Sequence, residues 1–103
     1  MSYKLYFTQA AEDDLSEIFG YISQKLASPQ AALELMEAMK GKLMRLEKFP
    51  NSAPMVNDDI LRSRGYRKLA VANYLIFYIV REKTKQVVIM AILYGAQKYE
   101  DIL

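Results

Sequence analysis

Three short runs of β-forming residues lie close together between residues 67 and 93, and they constrain the fold more than any other feature. Each run is rich in Val, Ile, Tyr or Phe, and charged or turn-forming residues separate the runs, which is typical of a β-meander. Both faces of the middle run are apolar: Leu75, Phe77 and Ile79 alternate with Tyr74, Ile76, Tyr78 and Val80. A strand with one wet face alternates apolar and polar residues, so these strands require cover on both faces.

Two amphipathic helices are predicted before the meander, and Thr8 is a suitable N-cap for the first of them. The first carries an apolar stripe at helical spacing that consists of Ala11, Leu15, Ile18, Phe19, Ile22 and Leu26. The second carries a matching stripe that consists of Ala32, Leu35, Met36, Met39, Leu43 and Leu46. Between them, Ser28 is a suitable N-cap and Pro29 suits the first position of the second helix. Because the connection is so short, the two helices are expected to form an antiparallel hairpin.

The order of the predicted elements defines the fold class. A short strand over residues 3–7 precedes the helices, an irregular loop over residues 51–65 follows them, and a short tail ends the chain. The order β-α-α-β-β-β predicts an α+β fold in which the helical hairpin packs on one face of a mainly antiparallel sheet. With 103 residues, the chain is expected to form a single domain over residues 1–103.

A single helical hairpin covers only one face of the predicted sheet. The other face is therefore expected to expose an apolar patch that binds a partner protein or a second copy of the free chain. The alternative is a sheet whose second face is covered by the loop of residues 51–65 together with the C-terminal tail.

The composition excludes several kinds of chemistry. The chain contains no His and no Cys, so it has no imidazole base, no thiolate nucleophile and no His or Cys metal ligand. No metal and no cofactor are expected. No apolar run is long enough to cross a membrane, and the N-terminus lacks the layout of a signal peptide, so we expect a cytoplasmic protein.

Basic residues cluster just before the meander. The net charge is only +2, so local clustering has to account for any binding of nucleic acid or of an acidic protein. Four cations fall within seven residues, namely Arg62, Arg64, Arg67 and Lys68. They either contact RNA phosphates or an acidic partner, or they form a solvated loop that keeps the sheet edge from aggregating.

Several motifs, in this order along nearly the whole chain, resemble the RelE/ParE superfamily of toxins from bacterial type II toxin–antitoxin modules. The motifs are Y-x-L-Y-F-T-x-x-A-x-x-D-L at the N-terminus, Y-I-S-x-x-L-x-S-P-x-x-A across the helix junction, L-x-x-F-P at the end of the second helix, S-R-G-Y-R-K-L-x-V-x-N-Y-L-I-F-Y into the meander and I-L-Y-G-A-Q-K-Y-E-D-I-L at the C-terminus. Each motif is short, and their order and spacing together make the resemblance specific.

The resemblance implies both a partner and an activity. The partner is a cognate antitoxin with a disordered segment that folds on the toxin, and DNA would be bound only through that antitoxin. Such a segment would cover the apolar sheet face, where Tyr74, Ile76 and Tyr78 are expected to contact it. The activity is one of two: RelE-like members cut mRNA on the ribosome, whereas ParE-like members inhibit DNA gyrase.

The resemblance also indicates which residues would carry RNA cleavage. Cleavage without a metal needs a general base, a cation beside the developing phosphorane and a general acid. In RelE-like nucleases, basic residues of the strands and an aromatic residue of the tail supply these groups. The matching positions are Arg67, Lys68, Lys98 and Tyr99. Other positions where the nucleases carry cations are occupied by Leu75, Ala96 and Gln97, so the nuclease set is incomplete.

We therefore expect a toxin of the plasmid-stabilisation or addiction type that arrests growth by binding DNA gyrase. The alternative is a ribosome-dependent mRNA endoribonuclease that acts through the four matching residues. A further alternative is a degenerate toxin that only binds its antitoxin and assists repression of its own operon. Contacts with the target or with RNA are expected from Arg62, Arg64, Tyr94 and Gln97.

Overall fold

A computed structural model describes residues 2–25 and 27–103 of the chain, so Leu26 of the predicted first stripe lies outside the described residues. The described elements, in chain order, are β1 (Lys4–Phe7), α1 (Gln9–Gly20), a π-helical turn (Tyr21–Lys25), α2 (Pro29–Lys48), α3 (Asp59–Ser63), β2 (Arg67–Val71), β3 (Tyr74–Arg81), β4 (Gln86–Tyr94) and α4 (Tyr99–Ile102). None of the described helices is long and apolar enough to span a membrane.

The strands form a single mixed sheet with the order β1-β4-β3-β2. The strands β2, β3 and β4 pair antiparallel, as a meander does, and β1 pairs parallel with β4 at the edge. Parallel neighbours need a long crossover connection, which α1 and α2 supply. The predicted α+β fold with helices on one face of a mainly antiparallel sheet is confirmed.

A β-bulge in β4 changes which side chains face the helices. Phe77 pairs with Ala91 and the next residue, Tyr78, pairs with Ile89, so Met90 is an extra residue in β4. Because of this insertion, Ile89 packs on the helix side of the sheet and Ala91 packs on the opposite side.

The caps of the two long helices agree with the sequence. The Thr8 hydroxyl accepts a hydrogen bond from the Ala11 N–H at 3.1 Å, and the Ser28 hydroxyl accepts one from the Ala31 N–H at 3.3 Å. Pro29 begins α2, as predicted. The first helix differs from expectation at its end, because regular α-helix stops at Gly20 and a π-helical turn continues it.

The helix-facing core contains most of the two predicted stripes. Its largest fully buried side chains from the sheet and α2 are Tyr78, Ile76, Ile89 and Leu46. One prediction about α2 is wrong: Met36 is 50% exposed, whereas its neighbour in the stripe, Met39, is 2% exposed. The apolar stripe of α2 is therefore wider than the core that it covers.

The prediction of a bare second sheet face is wrong where β3 and β4 carry Leu75, Phe77, Ala91 and Leu93. Part of the predicted irregular loop forms α3, which begins where the Asp58 carboxylate accepts a hydrogen bond from the Leu61 N–H at 3.1 Å. Leu61 then packs with Phe77 in a second buried cluster, joined from the C-terminal tail by Tyr99 and Leu103. The loop and the tail therefore cover this part of the sheet, which was the alternative considered from the sequence.

Two residues expected to contact an antitoxin are in the wrong place for that role. Ile76 and Tyr78 are both 0% exposed and lie between the sheet and the helices. Neighbouring residues of β3 face opposite sides of the sheet, so Ile76 and Tyr78 face the helices, whereas Phe77 faces the second buried cluster. The third residue, Tyr74, is half-buried at the edge of the same cluster.

Candidate functional site

Two of the four residues expected to be catalytic meet on the second sheet face. The Lys68 ammonium lies 5.7 Å from the centroid of the Tyr99 ring, within the range of a cation–π contact. The Tyr99 ring in turn packs against Phe77, with centroids 4.9 Å apart. Among the described residues, no cation other than Lys68 lies over the Tyr99 ring. We call Lys68, Phe77 and Tyr99 the cation–aromatic cluster.

Arg67 does not join this cluster, because neighbouring residues of a strand point to opposite faces. Its partner across the sheet is Tyr78, on the helix side. The Arg67 guanidinium donates a hydrogen bond to the Ala53 carbonyl at 2.7 Å and a longer one to the Asn51 carbonyl at 3.4 Å. Arg67 and Lys68, both predicted to be catalytic, therefore lie on opposite faces of the sheet, and Arg67 anchors the loop after α2.

Tyr78 belongs to the same loop anchor. Its buried hydroxyl donates a hydrogen bond to the Pro50 carbonyl at 2.8 Å and accepts one from the Ala53 N–H at 3.3 Å. Burial raises the pKa of Tyr78 above its ordinary value, and the Ala53 hydrogen bond and the nearby Arg67 charge oppose this only in part. The Tyr78 hydroxyl therefore holds the loop after α2 in place, and because it is buried it is not available as an acid or base at the protein surface.

At the positions where the nucleases carry further cations, this chain has residues that either pack in the protein interior or form the turn after β4. Leu75 is half-buried in the second cluster, on the face of Lys68. Gln97 accepts a hydrogen bond from the Tyr94 N–H at 3.0 Å, and its own N–H returns one to the Tyr94 carbonyl at 3.0 Å. Gln97 thus closes the turn after β4, and Ala96 within that turn is exposed.

The other candidate residues lie at the surface. The side chains of Arg62, Arg64 and Lys98 are exposed, and Lys98 precedes α4 without capping it. Tyr94 is 50% exposed, and its ring meets the Tyr74 ring edge to face at 5.9 Å between centroids. These side chains are accessible to a target.

One concave surface was not predicted from the sequence. It is an apolar groove of about 660 Å³ between α1 and α2, and β1 forms its floor. The groove is lined by Leu5, Phe7, Leu15, Ser16, Phe19, Met36, Met39, Lys40, Leu43 and Met44. Its volume falls within the range of roughly 300–1,000 Å³ that is typical of ligand pockets.

The groove's lining explains the excess apolar surface of α2. Met36 and Met44 are 50% and 53% exposed, so they serve the groove rather than the core. Methionine is flexible and adapts to varied apolar partners. Lys40 is the only charged residue of the lining. The available signal was a second apolar row on α2 beside the buried stripe, which includes Met36 and Met44.

The structure is that of a small α+β domain with an apolar groove, and comparisons with known proteins identify its family. The model of the family described as "ParE toxin of type II toxin-antitoxin system, parDE" matches residues 5–99. The chain therefore belongs to the ParE toxin family, within the RelE/ParE superfamily of type II toxin–antitoxin toxins. No curated protein sequence matches it.

Solved structures of toxin–antitoxin proteins share the fold. The chromosomal ParDE system of P. aeruginosa gives a TM-score of 0.70 at 20% identity, over 90% of this chain and 96% of that one. The RelBE2 complex of Mycobacterium tuberculosis gives 0.62 at 19% identity, over 91% and 99%. The intact E. coli RelBE complex gives 0.61 at 14% identity, over 93% and 100%.

Proposed function

We propose that this toxin arrests growth by binding DNA gyrase and that it does not cleave RNA. The supporting observation is the direction of Arg67, whose guanidinium is bonded to the loop on the face opposite Lys68. With Arg67 turned away, no described cation other than Lys68 lies over the Tyr99 ring. We propose that Lys68 and Tyr99 therefore lack the second cation that would stabilise the charge of a phosphorane, a contribution that is among the largest in phosphoryl transfer. Leu75 and Gln97 cannot supply it.

The exposed cations are proposed to contact the target. Arg62 and Arg64 lie on or just after α3, and Lys98 precedes α4, so each of the two short segments that cover the second face presents at least one exposed cation. Acids in the same segments, namely Asp58, Asp59, Glu100 and Asp101, leave neither segment with a net positive charge. An acidic surface on the target would complement the exposed cations, and charge complementarity of this kind determines specificity and the rate of association.

The groove between α1 and α2 is the proposed site for the cognate antitoxin. An amphipathic helix placed there would bury Met36 and Met44, and Lys40 would pair with an acidic residue on that helix. Toxin and antitoxin would meet in the cytoplasm, and any contact of the complex with operator DNA would come from the antitoxin.

RNA cleavage on the ribosome is the second candidate function, and one observation favours it. The contact of Lys68 with the Tyr99 ring places a cation beside a phenol, which could act as an acid–base pair. The degenerate-toxin alternative predicts neither activity and retains only antitoxin binding.

A supercoiling assay with purified gyrase and relaxed plasmid tests the proposal. Stoichiometric toxin is expected to block supercoiling, and adding the protein encoded by the adjacent reading frame is expected to restore it. The double variant Arg62→Ala/Arg64→Ala should inhibit at least about tenfold more weakly, because interface charges are lost. Lys83→Ala, which removes an exposed cation from the β3–β4 turn, is the control and should inhibit normally. Undiminished supercoiling at excess toxin would refute the proposal.

A further inference from the structure

A second concave surface lies where α2 ends beside β2, at the edge of the sheet opposite the groove. It consists of one cavity of about 380 Å³ and another of about 210 Å³. The larger is lined by Arg45, Phe49, Pro50, Asn51 and Ser52, and the smaller by Lys42, Arg45, Leu46, Ser52 and Leu69. Because Arg45 and Ser52 line both cavities, the two adjoin, and we call them together the Arg45 site.

The turn that forms one wall of the Arg45 site is held by buried hydrogen bonds. The Tyr78 hydroxyl donates to the Pro50 carbonyl at 2.8 Å. The Arg67 guanidinium donates to the carbonyls of the residues on either side of Ser52, at 3.4 Å and 2.7 Å. These bonds fix the backbone of an exposed turn before any ligand arrives, so a ligand that contacts the turn loses little affinity to the ordering of a loop.

The polar side chains of the site have unused hydrogen-bond donors. Within residues 2–25 and 27–103, no hydrogen bond uses the Arg45 guanidinium, the Asn51 side-chain amide or the Ser52 hydroxyl. The Lys42 ammonium donates to the Ala70 carbonyl at 2.8 Å and keeps two further donors. The lining contains these two cations and no acidic residue, so it favours an anionic ligand.

An exposed aromatic ring distinguishes this site from an ordinary basic helix end. Cations in the last turn of a helix are common, because they complement the helix dipole, so Arg45 alone does not define a site. Phe49, however, is 57% exposed, whereas the next residue, Pro50, is buried. The Phe49 N–H donates to the Arg45 carbonyl at 2.8 Å, so the two side chains lie one helical turn apart and border the same cavity.

The ligand that fits this lining has an anionic group and a flat aromatic group. A guanidinium binds phosphate oxygens through paired hydrogen bonds, and nucleobases stack on aromatic side chains. The larger cavity, of about 380 Å³, lies near the lower end of the range typical of ligand pockets, which suits a single nucleotide. An acidic peptide would satisfy the cations and leave the Phe49 ring in water.

We propose that the Arg45 site binds a nucleoside phosphate, with the base on the Phe49 ring and the phosphate on Arg45 and Lys42. Asn51 and Ser52 donate further hydrogen bonds to the phosphate or to the sugar. The Arg45 site shares no residue with the proposed antitoxin groove or with the proposed target contacts, so its test does not depend on either of them.

An NMR titration of the ¹⁵N-labelled chain at constant ionic strength tests the proposal. Adenosine 5′-monophosphate, adenosine and sodium phosphate are added in separate titrations. The monophosphate is expected to shift the amides of Phe49, Asn51 and Ser52 to saturation. Its Kd should be at least about tenfold lower than that of adenosine or of phosphate, because only the monophosphate engages both halves of the site. The amide of Leu5, at the far edge of the sheet, is the internal control and should not shift.

Two variants each remove one half of the proposed contact. Arg45→Gln should raise the Kd of the monophosphate at least about tenfold, and Phe49→Leu should raise it at least about fivefold. Both side chains are exposed, so the variants are expected to fold. The controls are Lys48→Gln, a cation of the same helical turn outside the lining, and Tyr21→Leu, an exposed aromatic residue elsewhere. Both controls should bind normally, and an equal loss in Lys48→Gln and Arg45→Gln would overturn the site.

A single-stranded oligoadenylate distinguishes the two sources of this ligand chemistry. Binding of the oligoadenylate at the same amides but no more tightly than the monophosphate supports a free nucleotide, and tighter binding supports a nucleotide within a strand. Phosphate that binds as tightly as the monophosphate would overturn the contact with the Phe49 ring. A polyglutamate peptide that shifts these amides when no nucleotide does would overturn the nucleoside phosphate. The absence of any saturable shift would overturn the site itself.

Discussion

The substitution Tyr78→Phe tests the loop anchor most sharply. The Tyr78 ring is 0% exposed, so phenylalanine preserves the packing and removes only the hydroxyl. The Pro50 carbonyl and the Ala53 N–H then lose a buried partner. Each buried polar group left without a partner costs about 1–3 kcal/mol, so we expect the free energy of unfolding at pH 7 to fall by about 2–4 kcal/mol.

The difference between the two proteins should depend on pH. Burial raises the pKa of Tyr78 in the folded state above its unfolded value of 10.0. Above pH 10.0, Tyr78 loses its hydroxyl proton in the unfolded chain but keeps it in the folded chain. The contribution of Tyr78 to stability is therefore complete below pH 10.0 and is lost as the pH rises toward the pKa of the folded state. Within this window the loss is up to about 1.4 kcal/mol per pH unit.

Urea denaturation of both proteins between pH 7 and pH 11 measures these effects. The wild-type protein should lose stability more steeply than Tyr78→Phe above pH 10.0, so that the gap between them narrows. Tyr21→Phe is the control, because that side chain is 55% exposed, and it should follow the wild type at every pH. A cost below about 0.5 kcal/mol for Tyr78→Phe, or a gap that is constant with pH, would refute the anchor.

Two further pairs of variants test the turn after β4 and the role of Arg67. A Cβ at Gly95 would lie 3.2 Å from the Asn73 carbonyl oxygen, so Gly95→Ala should lower the free energy of unfolding by about 1 kcal/mol. Gly41 lies on α2 with open space around it, so Gly41→Ala should raise the free energy of unfolding by up to about 1 kcal/mol. Both variants are measured by thermal denaturation. Arg67→Ala should destabilise by about 1–2 kcal/mol through its lost hydrogen bonds, and Arg64→Ala, which is exposed, should change stability by less than about 0.5 kcal/mol.

The fold could be predicted because local pattern and topology agree. The spacing of apolar residues located both long helices, and Thr8, Ser28 and Pro29 located their starts. Runs of β-branched and aromatic residues located the meander. The cover on the second face was harder to predict, because α3 is only five residues long and depends on a cap at Asp58 and on tertiary contacts of Leu61.

The site could be predicted only in part, because its geometry depends on strand phase. Arg67 and Lys68 are neighbours in the sequence, but the side chains of neighbouring strand residues point to opposite faces of the sheet. Which face each side chain takes depends on the pairing of Arg67 with Tyr78 and of Lys68 with Phe77. Burial of Ile76 likewise follows from which face the helices cover. The groove was missed because Met36 was assigned to the core stripe and Met44 was not considered, although together they form the exposed apolar row of α2 that lines the groove.

The most direct measurement of the central claim follows induced expression of the chain without any antitoxin. Primer extension on total RNA and plasmid topology gels are made from the same cells at the same times. If the toxin binds gyrase and lacks a second cation beside Lys68, the mRNA should remain intact and the plasmid DNA should be relaxed or broken. New in-frame mRNA 5′ ends with normally supercoiled plasmid would contradict the claim and assign RNA cleavage to Lys68 and Tyr99.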